Sequence, residues 1–172
     1  MKLDDIKKLG EINSAVDKAK PLYEAKKVSV RNQQKEAIAS EFSNYMTSKG
    51  FTISKGHAVD SVIATYQNSK FELLFDQTKN DATVNVYGDI YLNGNKHLRF
   101  IAWGTHNHPS SERINTSNQD EMALNAATRD KEYFEAIATG AANFTYTGYS
   151  MKDNKSEFKE KTFTDALNSA LN

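Results

Sequence analysis

Apolar residues recur every three or four positions at Leu3, Ile6, Leu9, Ile12, Val16 and Ala19, which predicts an amphipathic helix over 3–27. Gly10 lowers its propensity slightly, and Pro21 is expected to end or kink it. A second helix is predicted over 29–49, with Ala37, Ile38, Phe42, Tyr45 and Met46 as its stripe and Gly50 as its stop. From Phe51 the period shortens to two. Strands are predicted at 51–54, 59–67, 71–75 and 84–92, with a turn at Asn68-Ser69-Lys70 and a bulge at Gly88. Asn93-Gly94 is a hairpin turn leading into a strand over 97–103. The helical period returns over 117–138 and stops at Gly140. A strand follows at 143–151 and a terminal helix at 156–171. The whole pattern predicts an α+β fold, a mostly antiparallel sheet flanked by helices. An N-terminal helical pair, residues 1–50, is expected to pack on a core of residues 51–172.

The chemistry concentrates between Phe100 and Leu124. Phe100-Ile101-Ala102-Trp103 reads as one short buried strand that ends at Gly104-Thr105 and delivers His106 and His108. Residues two apart on an extended chain point to the same side, so the two imidazoles share a face. Neutral histidine nitrogens side by side suit a transition metal such as zinc. Pro109 stops the strand. Ser117 is then placed to cap a helix, with Asp120 at its third position, where the helix dipole favours a carboxylate. His106, His108 and Asp120 would leave one zinc position open, the pattern of a catalytic site.

These residues, His106-Asn107-His108-Pro109 followed by Ser117-x-x-Asp120, resemble the JAMM (MPN-type, Jab-like) metalloprotease family. The resemblance covers about 25 of the 172 residues. It implies a JAMM/cytidine-deaminase-like core, with zinc held by His106, His108 and Asp120. It also implies that Ser117 supports an oxyanion and that an upstream glutamate acts as general base. Eight residues separate His108 from Ser117, one more than is usual for the family, which corresponds to a one-residue loop insertion. For the glutamate, the strand-borne candidate is Glu72; Glu112, in the loop, is the alternative, and Glu24, Glu36 and Glu41 lie on predicted helices. His57 and His97 receive no role.

Composition narrows the partners. Lys plus Arg and Asp plus Glu each number 22, so no net charge recruits nucleic acid. The absence of cysteine excludes disulfides and thiolate metal sites. No apolar run approaches the ~20 residues of a membrane span, and no signal segment follows the N-terminus, so a cytoplasmic protein is expected. The expected activity is zinc-dependent hydrolysis of an amide or isopeptide bond in a protein or peptide. Two other readings compete: a catalytically inactive JAMM-like module that binds a protein partner, and a metal-dependent nuclease suggested by the His-Asn-His string.

Overall fold

The computed structural model describes residues 2–58, 60–77, 83–106 and 116–171. Among them are helix α1 (Leu3–Ser48), strands β1 (Thr52–Lys55), β2 (Val62–Tyr66), β3 (Ser69–Phe75), β4 (Val86–Leu92) and β5 (Asn95–His106), and helix α2 (Gln119–Thr139). Strands β6 (Phe144–Lys152) and β7 (Glu157–Glu160) and helix α3 (Phe163–Leu171) complete the chain. The fold class is α+β. The seven strands form one sheet in the order β1-β2-β3-β4-β5-β6-β7, a meander in which each strand lies beside its sequence neighbour.

Two helices were expected before the sheet; one continuous helix stands there. Pro21 lies inside α1 without ending it. Its ring removes the hydrogen bond to the carbonyl of Asp17, but both residues are exposed, so that carbonyl is open to water. The buried positions Ile12, Ala19, Tyr23, Lys27, Ile38, Phe42 and Tyr45 are separated by steps of three or four residues, or sums of such steps, on both sides of the proline. Leu3 and Ile6, at the start of the expected stripe, are exposed instead. α1 stops as expected. Gly50 sits at φ +88°, the Gly50 N–H donates to the Thr47 carbonyl and the Phe51 N–H to the Met46 carbonyl. These two bonds are a Schellman motif, in which glycine accepts the left-handed conformation at no steric cost.

The chain divides into two compact units, residues 1–29 with 106–144 and residues 30–105 with 145–172. The division differs from the boundary expected at residue 50 because α1 contributes to both. In the first unit Tyr23 gathers the aromatic rings of Tyr133, Phe134 and Phe144 at 5.3, 5.0 and 5.9 Å. Its hydroxyl shares a hydrogen bond of 2.9 Å with that of Tyr133. The Lys27 ammonium lies 5.4 Å from the centre of the Tyr23 ring and pairs with Glu24 at 2.8 Å, so its buried stem keeps a charged partner.

In the second unit Ile38, Phe42, Tyr45 and Met46 of α1 and Phe163, Ala166 and Leu167 of α3 share one core with one face of the sheet. The sheet contributes Leu73, Ile90, Leu98, Phe100, Ala102 and Met151. Phe100 packs edge-on against Phe75 and Phe163. Gly88 marks no bulge; a Cβ there would come within 2.4 Å of the Phe100 ring and 2.5 Å of the Leu74 carbonyl oxygen. The register shift falls between Ile90 and Tyr91. Asn93 and Gly94 make the expected hairpin turn with φ of +52° and +83°. The β2–β3 turn falls one or two residues early, and Ser69 and Lys70 already belong to β3.

The predicted terminal helix over 156–171 is in fact β7 followed by α3. Phe158 pairs with Met151, so the alternation of Glu157-Phe158-Lys159-Glu160 is satisfied by the sheet. Thr162 then caps the helix: its hydroxyl accepts from the Asp165 N–H at 3.0 Å and donates to the Asp165 carboxylate at 2.6 Å.

Candidate metal centre

The end of β5 is held by contacts that the sequence did not single out. The Gly104 N–H donates to Asn85 Oδ1 at 2.8 Å, and Asn85 Nδ2 donates to the Tyr87 hydroxyl at 3.2 Å. Asn85 is buried, so its amide is satisfied by protein groups instead of bulk water. Gly104 has no room for a side chain, since a Cβ would meet Val84 Cγ2 at 2.5 Å. The Tyr146 hydroxyl donates to the Val84 carbonyl at 2.7 Å, and burial pushes its pKa up to about 12. The Thr105 and Thr145 hydroxyls lie 3.3 Å apart. The last residue of the strand is His106. Asn85 falls inside the strand predicted over 84–92 and directly precedes β4, and only the β4–β5 pairing reveals what it holds.

Phe100 and Ala102 are fully buried, but Trp103 is 41% exposed. The run Phe100–Trp103 is therefore not a strand buried on both sides. One of its faces meets the core and the other is open.

At the start of α2 the cap differs from the expected one. Asn118, not Ser117, is the N-cap of α2: its side chain accepts from the Asp120 N–H at 2.9 Å. Asp120 is thus the second helical residue, and half-buried. Ser117 is exposed, one residue before the cap. Thr116 donates to the Glu121 carboxylate at 2.6 Å and accepts from the Asn118 N–H at 3.2 Å, which fixes the lead-in to the helix. Asparagine wins the cap because its side-chain oxygen reaches the second N–H of the helix as readily as serine's.

His108 and Glu112 lie outside the described residues, as does the side chain of His106. Among the described residues no three His, Asp or Glu side chains converge on one point. The sheet register settles the position of Glu72. It pairs across β3–β4 with Tyr91, which pairs with Lys96 on β5. Lys96 lies ten residues before His106 on the same strand, about 33 Å at ~3.3 Å per residue. Glu72 is turned to the open face and pairs with Lys70 at 3.5 Å. It cannot serve as general base beside His106. Glu41 is also committed elsewhere, accepting from the Thr164 N–H and hydroxyl at 3.0 and 3.1 Å.

No family model, curated protein or solved structure matches the chain. No helix among the described residues is long and apolar enough to cross a membrane.

Proposed function

We propose that the chain is a zinc-dependent hydrolase of amide or isopeptide bonds, built on a JAMM/cytidine-deaminase-like core, with His106, His108 and Asp120 as metal ligands. One observation carries the reading. β5 extends to His106 and α2 begins one residue before Asp120, so two members of the donor set lie on defined elements either side of the segment that bears the third. Two imidazoles and a carboxylate, in a chain without cysteine, are a donor set that fits zinc. Zinc held there supplies Lewis acidity toward a carbonyl and lowers the pKa of water.

The chain's own groups do the rest. Asp120 carries its carboxylate at the positive end of the α2 dipole, where negative charge is favoured. The exposed Ser117 hydroxyl donates to the carbonyl oxygen as charge develops on it. Glu112 takes the general-base role in place of Glu72. The substrate is a protein or peptide.

The test is elemental mass spectrometry of the purified chain beside His106→Ala/His108→Ala. About one zinc per chain, lost in the double variant, is expected. Absence of zinc after incubation with zinc at neutral pH would overturn the proposal. Glu112→Gln should then keep the zinc and lose hydrolysis of a fluorogenic isopeptide by at least a hundredfold, a loss of the size that general-base catalysis supplies.

A further inference from the structure

The open face of the sheet brings three hydroxyls together beside Trp103. Residues two apart on a strand share a face, so Trp103 stands with Thr105 on β5, and Thr145 with Thr147 on β6. The Thr105 and Thr145 hydroxyls are 3.3 Å apart, and the Thr147 hydroxyl lies 3.5 Å from the Trp103 carbonyl oxygen. Both pairs therefore lie on one face, three exposed threonines beside a 41% exposed indole. Each hydroxyl can donate and accept, unlike a carboxylate or an ammonium.

A groove opens here because β7 is short. It pairs with β6 only over Tyr149–Lys152, the last pair being Tyr149 with Glu160, and the chain then leaves the sheet for α3. Among the described residues no strand lies beside Thr145–Gly148 on the side away from β5. The groove, of about 430 Å³, is lined by Trp103, Thr147, Gly148 and, where β7 ends, Lys159, Glu160 and Lys161. That volume falls within the range of small-molecule sites, about 300–1,000 Å³. No side chain projects from Gly148, where a Cβ would lie 2.9 Å from the Glu160 carbonyl oxygen.

The charges around the groove cancel. Lys159 pairs with Glu157 at 3.8 Å, and Glu160, whose carboxylate accepts from the Ser169 hydroxyl at 3.0 Å, offsets Lys161. Neither an anion nor a cation gains from such a balance. The groove offers instead an electron-rich indole face, a hydroxyl that works both ways, and a rim of one acceptor and one donor group. A pyranose ring matches that set. It is neutral, one of its faces turns C–H hydrogens toward an aromatic ring, and its perimeter carries hydroxyls. A peptide added to the strand edge would pair with backbone groups, but the indole and the threonine hydroxyls stand on the face of the sheet, where that pairing does not reach.

We propose that the Trp103 groove is a carbohydrate site, in which a neutral pyranose stacks its C–H face on the indole and bonds through its hydroxyls to Thr147, Glu160 and Lys161. The binding requires no zinc and is independent of the hydrolase reading.

Trp103 is the chain's single tryptophan, so its emission reports occupancy. The full chain is titrated with the methyl glycosides of glucose, galactose and mannose, and with N-acetylglucosamine, cellobiose and lactose. Sorbitol, which carries the hydroxyls of a hexose but has no ring, is the control. The expected result is a saturable shift with at least one sugar, half complete in the millimolar range, and none with sorbitol. Saturation-transfer NMR on the same sugar gives an affinity that does not depend on the indole's emission. That affinity should fall at least tenfold in Trp103→Ala. It should fall severalfold in Thr147→Val, which keeps the β-branched shape and removes the hydroxyl. No saturable shift with any sugar, an equal response to sorbitol, or an affinity unchanged in both variants overturns the proposal. So does tighter binding of a pool of capped heptapeptides or of oligothymidylate, which would make the groove a peptide or a single-strand site.

Discussion

At the scale of single residues, the two ends of the candidate site depend on asparagines. Asn118→Ala removes the acceptor for the Asp120 N–H and should cost about 1 kcal/mol, the usual value of an N-cap. Ser117→Ala, one position earlier and exposed, should stay within about 0.5 kcal/mol of wild type. Urea denaturation of both variants separates them, and a larger loss at Ser117 would restore serine as the cap. On the proposed mechanism the order reverses for activity, which Ser117→Ala lowers more. Asn85→Ala leaves the half-buried Gly104 N–H without its acceptor and should destabilise by about 1–3 kcal/mol. It should also loosen the strand end that carries His106, so zinc affinity falls although no ligand is touched. Unchanged affinity in a folded Asn85→Ala protein would show that the strand end is held by other contacts. None of this was legible beforehand. Ser-x-x-Asp and Asn-x-Asp are both good helix starts, and choosing between them needs the backbone path of the loop.

At the scale of elements, the largest difference from expectation is α1. Proline in a helix interior lacks a donor and crowds the preceding turn, a cost of about 3 kcal/mol. The helix persists because the buried stripe continues on both sides of Pro21, and Pro21 itself faces water. Pro21→Ala should therefore stabilise the protein by about 1–3 kcal/mol, read from thermal or urea unfolding. A loss of stability would mean that the proline shapes a bend the packing needs. The C-terminal region illustrates the converse. Residues 156–171 contain enough apolar spacing for a helix, but Phe158 opposite Met151 commits the first part to the sheet. Short amphipathic segments satisfy both periods, and tertiary pairing decides between them.

For the whole molecule, one prediction follows from the tyrosines buried in the two units. Burial raises the pKa of Tyr45, Tyr146 and Tyr149 in one unit and of Tyr133 in the other, the last helped by its bond to Tyr23. The sign is fixed by linkage. Above pH 10 the unfolded chain loses phenolic protons that the folded chain keeps, so stability is full below pH 10 and falls as pH rises toward 12. The slope is at most about 1.4 kcal/mol per pH unit for each retained proton. Unfolding free energies at pH 9 and 11, with tyrosinate absorbance of the folded protein, check this. If all eight tyrosines titrated near pH 10 in the native state, burial would not govern them.

The sequence by itself determined the fold class, most strands, the Asn93-Gly94 hairpin and the stop at Gly50. These follow from local periodicity and from backbone conformations that few residues adopt. It also narrowed which side chains could be donors to a metal, since residue type alone limits them. Tertiary structure decided what depends on neighbours distant in the chain. The β3–β4–β5 register separates Glu72 from the strand end, and Asn85 ties Gly104. The shortness of β7 beside β6 opens an edge at Thr145–Gly148. Register and edge exposure come from how strands pair, a relation between segments that no single segment encodes.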